Sequence, residues 1–168
     1  YCSVDRNRLI GVGCLPLPDV DRAVAEMNRS AGRGVKGFAI PAHVDPALPY
    51  SDPVFDPFWA RAQECGVPLT MHIFTGQTLD GGLPAHWGTP GGHLKGYTLA
   101  HTTAVNTMID IICGGVVERF PQLKFVISEY ETGWVAHTLQ RLDHAAYRTP
   151  WELAEGLTMK PSEYFDRN

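Results

Sequence analysis

Two hydrophobic periods alternate along this chain. Leu9–Leu15 (LIGVGCL) is a short apolar run closed by Pro16 and Pro18, which suits a buried strand. Asp19 then serves as the N-cap of a helix. Its apolar stripe Val20, Ala23, Val24 and Met27 returns at helical spacing until Gly32 and Gly34 stop it. Val35–Ile40 is the next strand. Beyond a loop rich in Pro and Asp, Pro53–Cys65 reads as a helix burying Phe55, Phe58, Trp59 and Ala62, with Gly66 as its stop. Val67–His72 is a third strand, followed by a long glycine-rich irregular stretch from Ile73 to about Gly96. Leu99–Cys113 regains helical periodicity through Ala104, Met108, Ile111 and Ile112, and Val116–Phe120 continues it. Leu123–Glu129 is the fourth strand. Gly133–Tyr147 is a helix with Trp134, Thr138, Leu139 and Leu142 along one face, and Trp151–Asn168 is a connecting helix and loop.

Strand followed by helix, four times over, predicts an α/β protein of parallel βαβ units with right-handed crossovers. An eight-stranded barrel needs about twice this length. A four-stranded doubly wound sheet is the other solution, although Gly11 and Gly13 do not complete a G-x-G-x-x-G fingerprint, because Cys14, Leu15 and Pro16 follow.

Composition narrows the function. The 168 residues are 44% hydrophobic and 19% charged, ordinary for one globular domain rather than a disordered chain. A net charge of −4 with scattered Lys and Arg offers no field for nucleic acid or anionic lipid. The apolar stretches are strand-sized, far below the ~20 residues of a membrane span. Cys2, Cys14, Cys65 and Cys113 lie far apart with no C-x-x-C pair. They read as reduced core residues of a cytoplasmic protein.

Chemistry concentrates where two strands stop. A buried parallel strand ending on a metal-capable or acid/base side chain is how α/β barrels place reactions at their C-terminal face, and here the endings are His72 and Glu129. His72 can ligate a divalent metal or cap the core. Glu129 can ligate metal, take a proton, hold a substrate group, or be an acid at a loop entrance. Of its neighbours Tyr130 and Glu131, one can serve as the first-turn acid of the following helix. His86, His93 and His101 belong in or after the glycine-rich loop, where they could reach a substrate carboxylate, although solvated loop histidines are the commoner case. His137 and His144, seven apart on one helix, read as surface or packing residues. No H-x-H, H-E-x-x-H, G-x-S-x-G or P-loop pattern occurs, so nucleophilic Ser or Cys catalysis has no support. A metal site needs three or more protein ligands, and His72 with Glu129 makes two.

These residues resemble the amidohydrolase-related family of metal-dependent (β/α)8 barrels, which includes aminocarboxymuconate-semialdehyde and resorcylate-type decarboxylases and several hydrolases. Arg8-Leu9-Ile10-Gly11 with Leu15-Pro16, Gly37-Phe38, and Asp52-Pro53-Val54-Phe55-Asp56-Pro57-Phe58-Trp59 resemble its third and fourth units. Gly66-Val67-Pro68-Leu69 ending on His72 resembles the fifth. Phe120 to Glu129, Gly133-Trp134 and Arg141-Leu142-Asp143 resemble the sixth, and Lys160-Pro161-Ser162-Glu163-Tyr164-Phe165 the approach to the seventh.

The resemblance implies four consecutive βα units of a TIM barrel, roughly strands 3 to 6, in a single partial barrel domain over residues 1–168 that lacks its outer strands. It implies metal ligation by His72. Many members carry a second histidine where this chain has Glu129, so the chain departs from the family there in its ligand set or its chemistry, and Glu129 is the candidate metal ligand and catalytic residue at that strand end. The family's strand-one ligand pair and strand-eight aspartate fall outside the chain, which predicts that the chain alone is inactive. The implied cofactor is Zn or Mn, acting as Lewis acid and water activator. The implied partner is a small carboxylated or aromatic substrate, to be hydrolysed or decarboxylated, with homodimer formation by analogy. The competing expectation is an inactive half-barrel serving as an interaction or assembly module through its open strand edges.

Overall fold

Local sequence signals set the element boundaries in the computed structural model, which describes residues 1–76 and 88–168. The Asp19 carboxylate accepts the Arg22 N–H at 3.0 Å and starts helix α1, Val20–Ala31. Strand β1, Gly13–Cys14, precedes it and β2, Phe38–Ile40, follows. Asp52 caps a 3₁₀ turn at Pro53–Phe55 that leads into α2, Asp56–Cys65. Gly66 ends α2 in the left-handed region at φ +64°, a conformation that glycine adopts without a Cβ clash. Strand β3 is Leu69–His72. Then come α3, Gly92–Thr98, α4, His101–Cys113, and α5, Val116–Arg119, with β4 at Phe125–Ser128. Helix α6, Val135–Arg148, and α7, Pro161–Arg167, complete the order.

The four strands are all parallel and lie in chain order β1-β2-β3-β4, with Gly13, Phe38, Leu69 and Phe125 in one register row. Side chains alternate across this sheet. Phe38, Ile40, Leu69 and Met71 are buried beneath the helices, joining Met27, Tyr50, Phe55, Phe58 and Trp59 in the core. The opposite face is open: Ala39 and Thr70 are half-buried, Cys14 is exposed, and Val126 is 45% exposed. Sequential order without a switch point, with helices on one face only, distinguishes barrel units from a doubly wound sheet.

The strands are shorter than the apolar runs suggest. Leu9–Leu15 contributes only Gly13–Cys14, because β1 is an edge strand whose ladder bonds, Gly13 N–H to Gly37 O and Leu15 N–H to Ala39 O, reach β2 alone. Gly115, at φ +79°, separates α5 from α4 where the periodicity runs on. Helix α3 begins at Gly92, inside the stretch read as irregular, since Gly92, Gly96 and the absence of an apolar stripe hide it. Among the described residues no helix is long and apolar enough to cross a membrane, and the four thiols are unbonded.

Candidate active site at the ends of the third and fourth strands

His72 closes β3 on the open face of the sheet, in register with Ser128 of β4. Strict alternation would send the next residue, Glu129, toward the helices. Instead Glu129 lies just past the strand with φ +66°, and this left-handed backbone re-aims its carboxylate. The outcome is a 2.9 Å approach of His72 Nε2 to Glu129 Oε2. Below them, on the same face, the Thr70 and Ser128 hydroxyls are hydrogen-bonded at 2.7 Å.

His72 is held from behind. Its Nδ1 lies 3.0 Å from the Ile73 carbonyl, and since a carbonyl only accepts, Nδ1 carries the proton. Nε2 then faces a carboxylate oxygen, and a contact at this distance requires a proton or a cation between the two atoms. Two donors at right angles on an octahedral divalent ion with bonds of about 2.1 Å stand about 3.0 Å apart, so the pair fits a metal as well as a proton. The His72 carbonyl accepts from the Thr75 hydroxyl at 2.6 Å and from the Tyr130 phenol at 3.3 Å. Thr75 in turn takes the Ala42 N–H on its hydroxyl and the His43 N–H on its carbonyl, both at 2.9 Å, tying the end of β2 to the end of β3. Burial pushes the Tyr130 phenol up to about 12, so it remains a donor across the physiological range.

Beside Glu129 opens a cleft of about 600 Å³ lined by Ile73, Tyr97, His101, Glu131 and Trp134. The His101 and Trp134 rings stack with centroids 6.3 Å apart and planes at 19°. His101 Nδ1 lies 3.2 Å from the Thr98 carbonyl, and Trp134 Nε1 donates to Tyr130 O at 2.7 Å. Glu131, at φ +56°, precedes α6 and does not belong to its first turn, which contains no acid; the residue borders the cleft.

The structure thus brings His72 and Glu129 together and places His101, for which solvation is the commoner expectation, beside the same cleft. His93 stacks on Tyr97 at 6.4 Å. His137 and His144 are exposed on α6. His86 lies outside the described residues. Among the described residues no three metal-capable side chains form a group, so this site offers two donors. The roles of Thr75, Trp134 and Tyr130 at the site left no signal in the sequence, because they rest on contacts that span 33 to 58 positions or depend on a left-handed turn.

The sequence profile of the Amidohydrolase family matches residues 3–167. Gamma-resorcylate decarboxylase of Rhodococcus jostii (strain RHA1) is 29% identical over 159 residues, 89% of this chain and 46% of the relative. The crystal structure of 5-carboxyvanillate decarboxylase LigW from Sphingomonas paucimobilis is 26% identical and superposes with a TM-score of 0.72 over 99% of this chain and 49% of that one. A dihydroxybenzoic acid decarboxylase from Polaromonas sp. JS666, solved with bound manganese and 2-nitroresorcinol, shares the fold with a TM-score of 0.72 at 20% identity, over 99% of this chain and 51% of that one. The chain spans about half the length of the curated relatives it matches. Its four units are a contiguous stretch of a (β/α)8 barrel.

Proposed function

We propose, from the premise that this chain belongs to the amidohydrolase family, that it forms the central part of a cytoplasmic, metal-dependent enzyme that removes carbon dioxide from a small carboxylated aromatic substrate. The observation that carries this reading is the 2.9 Å pairing of His72 Nε2 with Glu129 Oε2 at the C-terminal ends of adjacent parallel strands. Gamma-resorcylate and 5-carboxyvanillate decarboxylases among the relatives favour decarboxylation over hydrolysis. His72 and Glu129 would hold a divalent ion, Mn or Zn, together with donors from barrel segments that relatives of about twice this length contain. When bound, that ion supplies positive charge to the substrate's carboxylate and adjacent oxygen.

The chain's own groups do the rest. Thr75 and Tyr130 fix the His72 carbonyl, and Ile73 O fixes its tautomer, so Nε2 is oriented without reorganisation. Glu129, 2.9 Å from His72 Nε2, stands beside the ion's place and is the chain's own candidate for taking or returning a proton at the substrate. The Thr70 and Ser128 hydroxyls offer a polar floor one layer below.

One observation favours a second reading, an assembly module without chemistry: the face of the sheet opposite the helices is open at Cys14 and Val126. Metal analysis separates the two. Manganese titration followed by the loss of the free-ion electron paramagnetic resonance signal, on this chain and on a full-length barrel containing it, is expected to show one His72-dependent ion in the full barrel. His72→Ala should abolish both the ion and manganese-stimulated carbon dioxide release from 2,6-dihydroxybenzoate. A full barrel that binds no ion, or binds it equally after His72→Ala, overturns the proposal.

A further inference from the structure

We infer that the cleft between the start of α4 and the β4–α6 turn is a subsite for the uncharged, hydroxyl-bearing side of an aromatic ring, read by the His101 imidazole. The inference deepens the proposed function and rests on it for where the reacting end of the substrate lies.

Shape comes first. The cleft of about 600 Å³ suits a ligand of one ring with substituents, and its walls include the Tyr97, His101 and Trp134 rings. Offset stacking on Trp134 sets the plane of His101. Trp134 is itself anchored through Nε1 to Tyr130 O, next to Glu129. The Thr98 carbonyl occupies the Nδ1 proton of His101, which leaves Nε2 as an acceptor with no partner among the described residues.

Charge then selects the ligand. Glu129 and Glu131 both border the cleft, and among the described residues neither Lys nor Arg lines it. A hydroxyl can donate to His101 Nε2 or to the Glu131 carboxylate. A carboxylate entering the same space meets no Lys or Arg among the described residues and has two negative charges to face, until a cation stands at the His72 end. The site therefore reads a substrate with polarity: carboxylate toward His72, hydroxyl-bearing ring edge toward His101. Glu131 keeps a left-handed backbone in bordering the cleft, as Glu129 does in meeting His72. In this arrangement His101 determines specificity, and the reacting atoms stay with His72 and Glu129.

The test uses the metal-free chain, with resorcinol and benzoate as probes and the His101 ring proton and Trp134 indole proton resonances as readouts. Resorcinol is expected to shift both resonances saturably. His101→Ala should weaken its binding at least tenfold, read on the Trp134 signal, and Glu131→Gln should weaken it several-fold. Benzoate is expected to leave both signals unmoved without metal, and to gain binding in Glu131→Gln. Benzoate binding as tightly as resorcinol without metal, resorcinol binding unaffected by His101→Ala, or no saturable shift with resorcinol would each overturn the inference. Neither resonance readout requires a metal ion. A failure of the metal reading is therefore distinguishable from a failure of this one.

Discussion

Replacing Glu129 by glycine should leave the fold about as stable as before while removing the chemistry. Glu129 sits at φ +66°, where a residue with a Cβ costs about 1–2 kcal/mol relative to a right-handed conformation. Glycine removes that strain but adds about 0.5–1 kcal/mol through its greater freedom in the unfolded chain. The lost pairing with His72 is worth about 0–1 kcal/mol, because the two side chains are 51% and 68% exposed. These terms nearly cancel, so Glu129→Gly is expected within about 1 kcal/mol of the parent. Glu131→Gly is the control: it relieves the same kind of backbone at φ +56° and loses no ion pair among the described residues. It should be stabilised by about 0.5–1 kcal/mol. Urea unfolding with unchanged m values reads the stabilities, and manganese titration of a full-length barrel reads the site. Glu129→Gly should lose the ion and Glu131→Gly should keep it. A destabilisation above about 2 kcal/mol in Glu129→Gly would refute the strain argument, because it would make the residue structural. Full retention of manganese would remove Glu129 from the site.

Thr75→Val should destabilise the chain by about 2 kcal/mol, since it deletes the donor to His72 O and leaves the N–H of fully buried Ala42 without its acceptor; Thr75→Ser should restore most of this in the same urea assay. Gly114→Ala should cost about 1–3 kcal/mol, because a Cβ there would meet the Ser51 side chain and come within 2.5 Å of Asp110 O, forcing apart the Ser51–Asp110 hydrogen bond; a Tm within 1 °C of the parent would contradict that. Stability should fall as pH rises through the range 9 to 12. Burial pushes Cys113 up from 9.0 to about 11 and Tyr130 from 10.0 to about 12, so the unfolded chain releases these protons first. Cys113→Ala should flatten the lower part of that loss in alkaline melts, and an unchanged profile would show that the thiol is not the group responsible.

Much of the fold was legible because it rests on local patterns. The stripe Val20, Ala23, Val24, Met27 behind an Asp19 cap, and Phe55, Phe58, Trp59, Ala62 ahead of Gly66, each encode a helix and its end within a dozen residues. The apolar runs located all four strands, although the ladder trimmed them to two to four residues. Helix α3 escaped, since its glycines and lack of an apolar stripe carry no periodic signal. His72 and Glu129 stood out for a positional reason, that a strand end on a barrel's C-terminal face is where side chains meet substrate.

The pairing of His72 with Glu129 could not be read in this way. Alternation alone would turn Glu129 from the open face, and only the left-handed turn at φ +66° brings its carboxylate to 2.9 Å from the imidazole. Thr75 and Tyr130 reach the His72 carbonyl, and His101 reaches the cleft beside Glu129, through contacts between distant segments. The sequence by itself determined the amphipathic helices, the location of the strands and the two chemistry-bearing strand ends, because hydrophobic period, caps and glycine stops act over a few residues. Tertiary structure alone decided the one-sided sheet, the hydrogen bonds behind His72 and the cleft that His101 borders, because register and packing set which distant groups face each other.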